Sequence, residues 1–194
     1  MRYLSFLFLF VVLIHIDIKA HPHVFIETNI TICFNHDNID KLLICFDFDQ
    51  MFSADIKQTF DKNNNAIFEP DEIEEIRKNA FSNLVNYNYF IHVIDGGSKL
   101  KIDSISDFKA SINTKGKLQY FFTINTNINT VTPNKKIRIA AFDHSYFIDV
   151  ALHEKGIKFI NNSKVDYSWK LVEDKNMAYY YGQIYPSTVV LSFN

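Results

Sequence analysis

The chain is poor in the residues that build most recognisable catalytic loops. It holds 5 glycines in 194 residues, little material for a glycine-rich phosphate cradle. Neither G-x-S-x-G nor H-E-x-x-H occurs, so the commonest hydrolase signatures are missing and the expectation is a protein that is not an enzyme. No run of lysines and arginines is present and the formal net charge is −2, which argues against nucleic acid and anionic membrane surfaces as partners. A membrane-spanning helix needs roughly 20 apolar residues. The longest apolar run, Leu4 to Ile14, contains Ser5 and gives way to His15 and Asp17, so no stable membrane insertion is expected. Only Cys33 and Cys45 could form a disulfide.

What is present begins with an export signal. Arg2 supplies a positive start, Leu4 to Ile14 the apolar segment, and Ala20 the small residue before a cut. Residues 1–20 therefore read as a signal peptide, and residues 21–194 as a single exported domain. Cleavage after Ala20 makes His21 the first residue of the mature chain. Its α-amine, its imidazole and that of His23 then lie close together, with Pro22 stiffening the spacing. This donor set suits a transition metal, and zinc, nickel, cobalt and copper are all served by the same chemistry. It is short of a closed four-ligand site. His92, in the middle of an apolar run, is the expected further donor, with Asp47 and Asp49 behind it. His36, His144 and His153 fall on apparent turns or strand ends and are expected to face solvent.

Apolar residues then alternate. Val24, Ile26, Ile30, Ile32 and Phe34, followed by Leu42, Ile44, Phe46 and Phe48, predict a β-hairpin across Asn35–Asn38. A hairpin centred on Ile39 would set Cys33 opposite Cys45 and allow a bridge; a centre at Asp37-Asn38 would separate them. The period changes at Ser53, an expected helix cap, with Ile56 and Phe60 one turn apart. After a polar loop, Pro70 suits a first helical position, and Ile73, Ile76, Ala80 and Leu84 recur at helical spacing. From Tyr87 to Val93 the alternation returns. Runs at 107–113, 117–126, 135–142, 146–152, 156–160, 167–172 and 187–193 follow. The expected fold is α+β: a mostly antiparallel sandwich or barrel-like domain with an EF-hand-like helix-loop-helix insertion over 53–85.

The insertion carries a second donor set. Asp61, Asn63, Asn65 and Glu69 stand at loop positions 1, 3, 5 and 9, Ile67 offers its carbonyl at 7, and Glu72 closes at 12. This spacing fits calcium. Ala66 replaces the glycine of position 6, so binding is expected to be weak. The competing expectation is an interhelical turn that keeps the shape without the ion.

Five stretches in this order resemble one family: HPHVFIE at the mature start, FDFDQMFSADI at 46–56, DKNNNAIFEPDE, NLVNYNYFIHVIDGG at 83–97 and AFDHSYFIDV at 141–150. It is the exported bacterial family of unknown function described as "ABC-type transport system, periplasmic component", which includes the ZevA-like zinc-utilisation proteins. The resemblance covers most of the chain to about residue 150. It implies a periplasmic protein that works beside an inner-membrane permease for zinc or nickel/cobalt. Under it His21 and His23 fall in the family's HPH motif, and His92 in its Y-F-T-H motif with Ile91 for threonine. Asp61, Asn63, Asn65 and Glu72 match its acidic loop. The family's D-P-T-Y-F is Asp143-His144-Ser145-Tyr146-Phe147 here. About 174 residues are few for the two closing lobes of a solute-capture protein. The expected function is therefore metal binding by one β-rich domain that assists a permease. The alternatives are an exported structural or interaction module and, after it, a copper oxidase.

Overall fold

The computed structural model of the chain describes residues 22–132, 134–162 and 165–193. The assigned signal peptide and His21 lie outside the described residues. The chain opens with a hairpin, β1 (Val24–Asn35) and β2 (Asn38–Phe48). Ile26, Ile30, Ile32 and Phe34 of β1 and Leu42, Ile44, Phe46 and Phe48 of β2 point into the core, as the period of two demands. Asn35 pairs with Asn38, so the turn is His36-Asp37, and a bulge follows at Asp40. Cys33 therefore faces Lys41 and Cys45 faces Asn29, and both thiols are free. The bridge is excluded by register.

Eight further strands follow: β3 (Ile91–Asp95), β4 (Ser98–Lys99), β5 (Ser106–Ile112), β6 (Leu118–Asn129), β7 (Lys136–Ala141), β8 (Ile148–Asn161), β9 (Tyr167–Glu173) and β10 (Ser187–Phe193). They form two five-stranded sheets, ordered β5-β6-β2-β1-β8 and β4-β3-β7-β10-β9. One apolar cluster joins them, with Ile30, Ile44 and Phe122 from the first sheet and Val93, Ile139 and Leu191 from the second. The domain is mostly β, a sandwich with open edges and no closed barrel.

Two expectations about strands change. The runs at 146–152 and 156–160 are one strand, β8, which pairs with β1 in parallel. Thr28 faces Leu152 and Ile30 faces Ile157, so His153 to Gly156 bulge opposite Asn29. Gly156 is required there, since a Cβ would stand 2.8 Å from the carbonyl oxygen of Thr28. The second change concerns Tyr87 to Phe90, which is not strand. Asn88, Tyr89 and Phe90 take φ of 55°, 52° and 58°, a left-handed turn that ends in β3. Left-handed backbone costs on the order of 1 kcal/mol per non-glycine residue. Asn88 holds it, donating to the carbonyl of Ile91 at 2.7 Å and accepting from the N–H of Ile102 at 2.8 Å.

Between β2 and β3 lie α1 (Gln50–Phe60) and α2 (Pro70–Ile76), joined by a loop. The cap of α1 is Asp49 rather than Ser53, accepting from the N–H groups of Met51 and Phe52. Ser53 is buried one turn later, where its hydroxyl accepts from the N–H of Leu118 and ties the helix to β6. Pro70 stands at the start of α2 as expected. Beyond Ile76 the helix widens into a π-type turn over Arg77–Phe81. The extra residue per turn brings Phe81, rather than Ala80, fully into the core. Its ring lies 4.3 Å from Phe108, 5.2 Å from Phe122, 5.5 Å from Tyr89 and 5.7 Å from Tyr120, centroid to centroid. This aromatic cluster seats the helical segment on the first sheet.

Candidate functional site

Two places hold the residues marked by the sequence. The first is built where β3 and β7 leave their sheet side by side. His92 lies opposite Ala140, and the N–H of Phe142 donates to the carbonyl of Phe90 at 3.0 Å. Register thus brings His92 against the segment that follows β7. Its ring stacks on Phe142 at 3.9 Å, and the ring of His144 meets it edge-on at 5.0 Å. Nε2 of His92 lies 3.0 Å from the carbonyl oxygen of Phe142. A carbonyl can only accept, so Nε2 carries the proton and Nδ1 the lone pair. No described residue donates to Nδ1.

Burial holds this imidazole neutral. His92 is 9% exposed, and desolvation lowers its pKa to about 4, against the opposing pull of the Phe142 carbonyl. His144 is lowered too, by burial first and by the charge of Lys99 next. The carboxylate of Asp143 works the other way on both rings. Asp143 also shapes the turn, accepting from the N–H groups of Ser145, Phe147 and Ile148. A pocket of about 320 Å³ opens beside the two imidazoles, walled by Tyr87, Phe90 and Leu100, with Lys99 at its margin.

His23 reaches the far end of the same segment. Its N–H donates to the carbonyl of Phe147 at 2.9 Å, and its exposed ring packs on Phe147 at 4.8 Å. His23 and His92 thus sit against two residues five apart in one short stretch, and no described contact joins the two rings. Asp47 and Asp49 are occupied elsewhere. Asp47 accepts from Asn29 and Gln119, and Asp49 from Phe25 and the start of α1. Among the described residues, no three side chains of His, Cys, Asp and Glu stand together as a metal cluster. His144 is exposed on a turn, as expected, and what sequence reasoning passed over is its place beside His92, together with Lys99. The pairing of β3 with β7, which brings His144 to His92, joins segments some 45 residues apart and leaves no local trace.

The second place is the loop between α1 and α2. Asp61 and Glu72 are buried. Asp61 accepts from the N–H of Asn65 at 3.1 Å and of Ala66 at 2.9 Å. Glu72 accepts from the N–H of Lys62 at 2.8 Å and of Glu69 at 3.0 Å. The side-chain amides of Asn63 and Asn65 donate to one oxygen of Glu69 at 3.2 and 2.9 Å. Contact with the Glu72 carboxyl, then bonds from the amides of Asn65 and Asn63, leave Glu69 the more acidic of the two carboxyls, lowered to about 2. Its other oxygen is buried and takes no bond. The oxygens of Asn63 and Asn65 accept from the N–H groups of Asn65 and Ile67. Of the expected donors, then, Asp61 and Glu72 are taken up by backbone N–H groups of the loop, and Asn63 and Asn65 by Glu69 and by the N–H groups of Asn65 and Ile67. Ala66 sits in the left-handed region, at φ 60°.

Fold and site define a class: a mostly β domain of two packed sheets with an interhelical loop closed on itself and, at a pocket, one buried and one exposed imidazole. Residues 6–184 match the family described as "Protein of unknown function (DUF1007)", and the chain belongs to that family. An uncharacterized 15.5 kDa protein from the trpE 3′ region of Spirochaeta aurantia is 28% identical over 138 residues, which span 69% of this chain and 95% of that protein. No solved structure matches the chain. No helix among the described residues is long and apolar enough to cross a membrane.

Proposed function

We propose that the protein binds a transition metal ion, zinc or nickel/cobalt, in the periplasm and assists an inner-membrane metal permease without itself being an enzyme. The observation that carries this reading is the state of His92. A buried, neutral imidazole whose Nε2–H is fixed by a carbonyl and whose Nδ1 meets no described donor has the arrangement of a metal-ligating histidine. His144 supplies a second imidazole beside it. Two ligands leave coordination positions open. His21, its α-amine and His23 are the candidates to fill them, because His23 is tethered to the same 142–148 segment. Export rests on residues 1–20 as a signal peptide. The permease and the kinship with ZevA-like zinc-utilisation proteins rest on the motif resemblance, His92 falling in its Y-F-T-H motif. Competitive titration tests the reading: His144→Ala should weaken zinc binding about tenfold or more, and unchanged affinity would remove His144 from the site.

A second reading is favoured by the loop. Its carboxylates and amides already bond to one another, so the alternative is a non-catalytic structural or interaction module whose EF-like turn needs no ion. Weak calcium binding would have to displace those bonds, with the unbonded oxygen of Glu69 as its first foothold.

A further inference from the structure

We propose that the pocket beside His92 binds a small organic carboxylate with a flat apolar body. The inference uses the same pocket as the metal reading, and it requires no metal ion.

Four features point to this ligand. The pocket, about 320 Å³, is at the small end of the range for bound small molecules. Its walls are apolar and aromatic, chiefly Tyr87, Phe90 and Leu100, with the stacked face of His92 alongside. One wall is the left-handed turn at Asn88 to Phe90, fixed by the side-chain bonds of Asn88 to Ile91, Leu100 and Ile102. A conformation that costs stability and is held in place on both sides is a common mark of a ligand-binding wall. It also means the pocket is formed before a ligand arrives, which lowers the ordering cost of binding.

The polar groups set the sign. Lys99 stands at the margin and makes no ion pair with a described residue, whereas neighbouring Lys101 is paired with Asp103. Asp143 is the one acidic residue of the lining, and its oxygens are held by the N–H groups of its own turn. An incoming carboxylate therefore meets the ammonium of Lys99 and the exposed ring of His144, while its flat body lies against Phe90 and Leu100. A cationic ligand of the same shape would meet Lys99 as a like charge.

The test uses chelator-treated full-length protein and benzoate, an aromatic carboxylate that binds metals poorly. Benzoate should shift the ring resonances of His92 and His144 saturably. Lys99→Gln should weaken binding about tenfold, and Leu100→Trp, which fills the pocket, should abolish it. The backbone spectrum of each variant reports whether it has kept its fold. No saturable shift in the folded wild type would overturn the proposal, as would an equal response to benzylamine. Failure here is distinguishable from failure of the metal reading: zinc titration of the same sample can succeed while benzoate fails, and the reverse.

Discussion

The loop at 61–72 and the pocket at His92 both carry ligand-type residues, and they differ in what those residues are already doing. In the loop, Asp61 and Glu72 each accept two backbone N–H groups, and Asn63 and Asn65 point their amides at Glu69. In the pocket, His92 makes one bond through Nε2, and no described residue bonds Nδ1, which lies beside a second imidazole. Donor spacing alone treats the two alike. What separates a closed turn from an open site is whether the lone pairs have internal partners.

Acid should separate the two regions most strongly. Burial keeps His92 neutral down to about pH 4, whereas in the unfolded chain it takes up a proton near 6.5. Between these values the unfolded state binds more protons, so the stability of the metal-free protein should fall as pH drops from 6.5 to 4. The loss should be on the order of 3 kcal/mol. His144 shifts in the same direction through burial and then the charge of Lys99, with Asp143 opposing. The loop should resist in this window, because Glu69 stays ionised to about pH 2. Urea unfolding at a series of pH values checks this, and His92→Gln should flatten the slope.

The loop should fail by truncation instead. Asp61→Ala removes two bonds from a buried carboxylate and should cost about 2 kcal/mol, with no change in zinc affinity. A loss of zinc binding in this variant would erase the distinction between the regions. A smaller effect of opposite sign is expected at Ala66, held at φ 60°. Ala66→Gly should stabilise the protein by about 0.5–1 kcal/mol, the left-handed penalty outweighing the entropy of an added glycine. Smallest of all is the response of the thiols. Burial, then the charge of Asp47, pushes the Cys45 thiol up to about 12, and burial raises Cys33. Both should alkylate slowly in the folded protein, and a reductant should leave the midpoint of unfolding unchanged.

The elements that could be read from the sequence were those with local causes. The alternation in β1 and β2, the strand 187–193 and Pro70 at the start of α2 follow from period and backbone chemistry. The mixed nature of the first sheet did not, since the parallel β1–β8 pairing joins chain segments far apart. Tyr87 to Phe90 misled because an aromatic alternation is equally compatible with a left-handed turn pinned by Asn88. Ser53 has the chemistry of a cap, yet Asp49 lies one turn earlier and reaches the first N–H groups. At the site, His92 stood out as a polar residue in an apolar strand. His144 and Lys99 did not, because only strand pairing brings them to it.

The most direct test of the account is elemental analysis with competitive titration of the natively expressed protein, its amino terminus fixed by mass spectrometry. The account predicts a bound transition metal ion whose affinity falls about a hundredfold in His92→Ala and is unchanged in Glu72→Gln. A protein that starts at His21 and binds no such ion more tightly than about micromolar, or binds it equally well without His92, would contradict it.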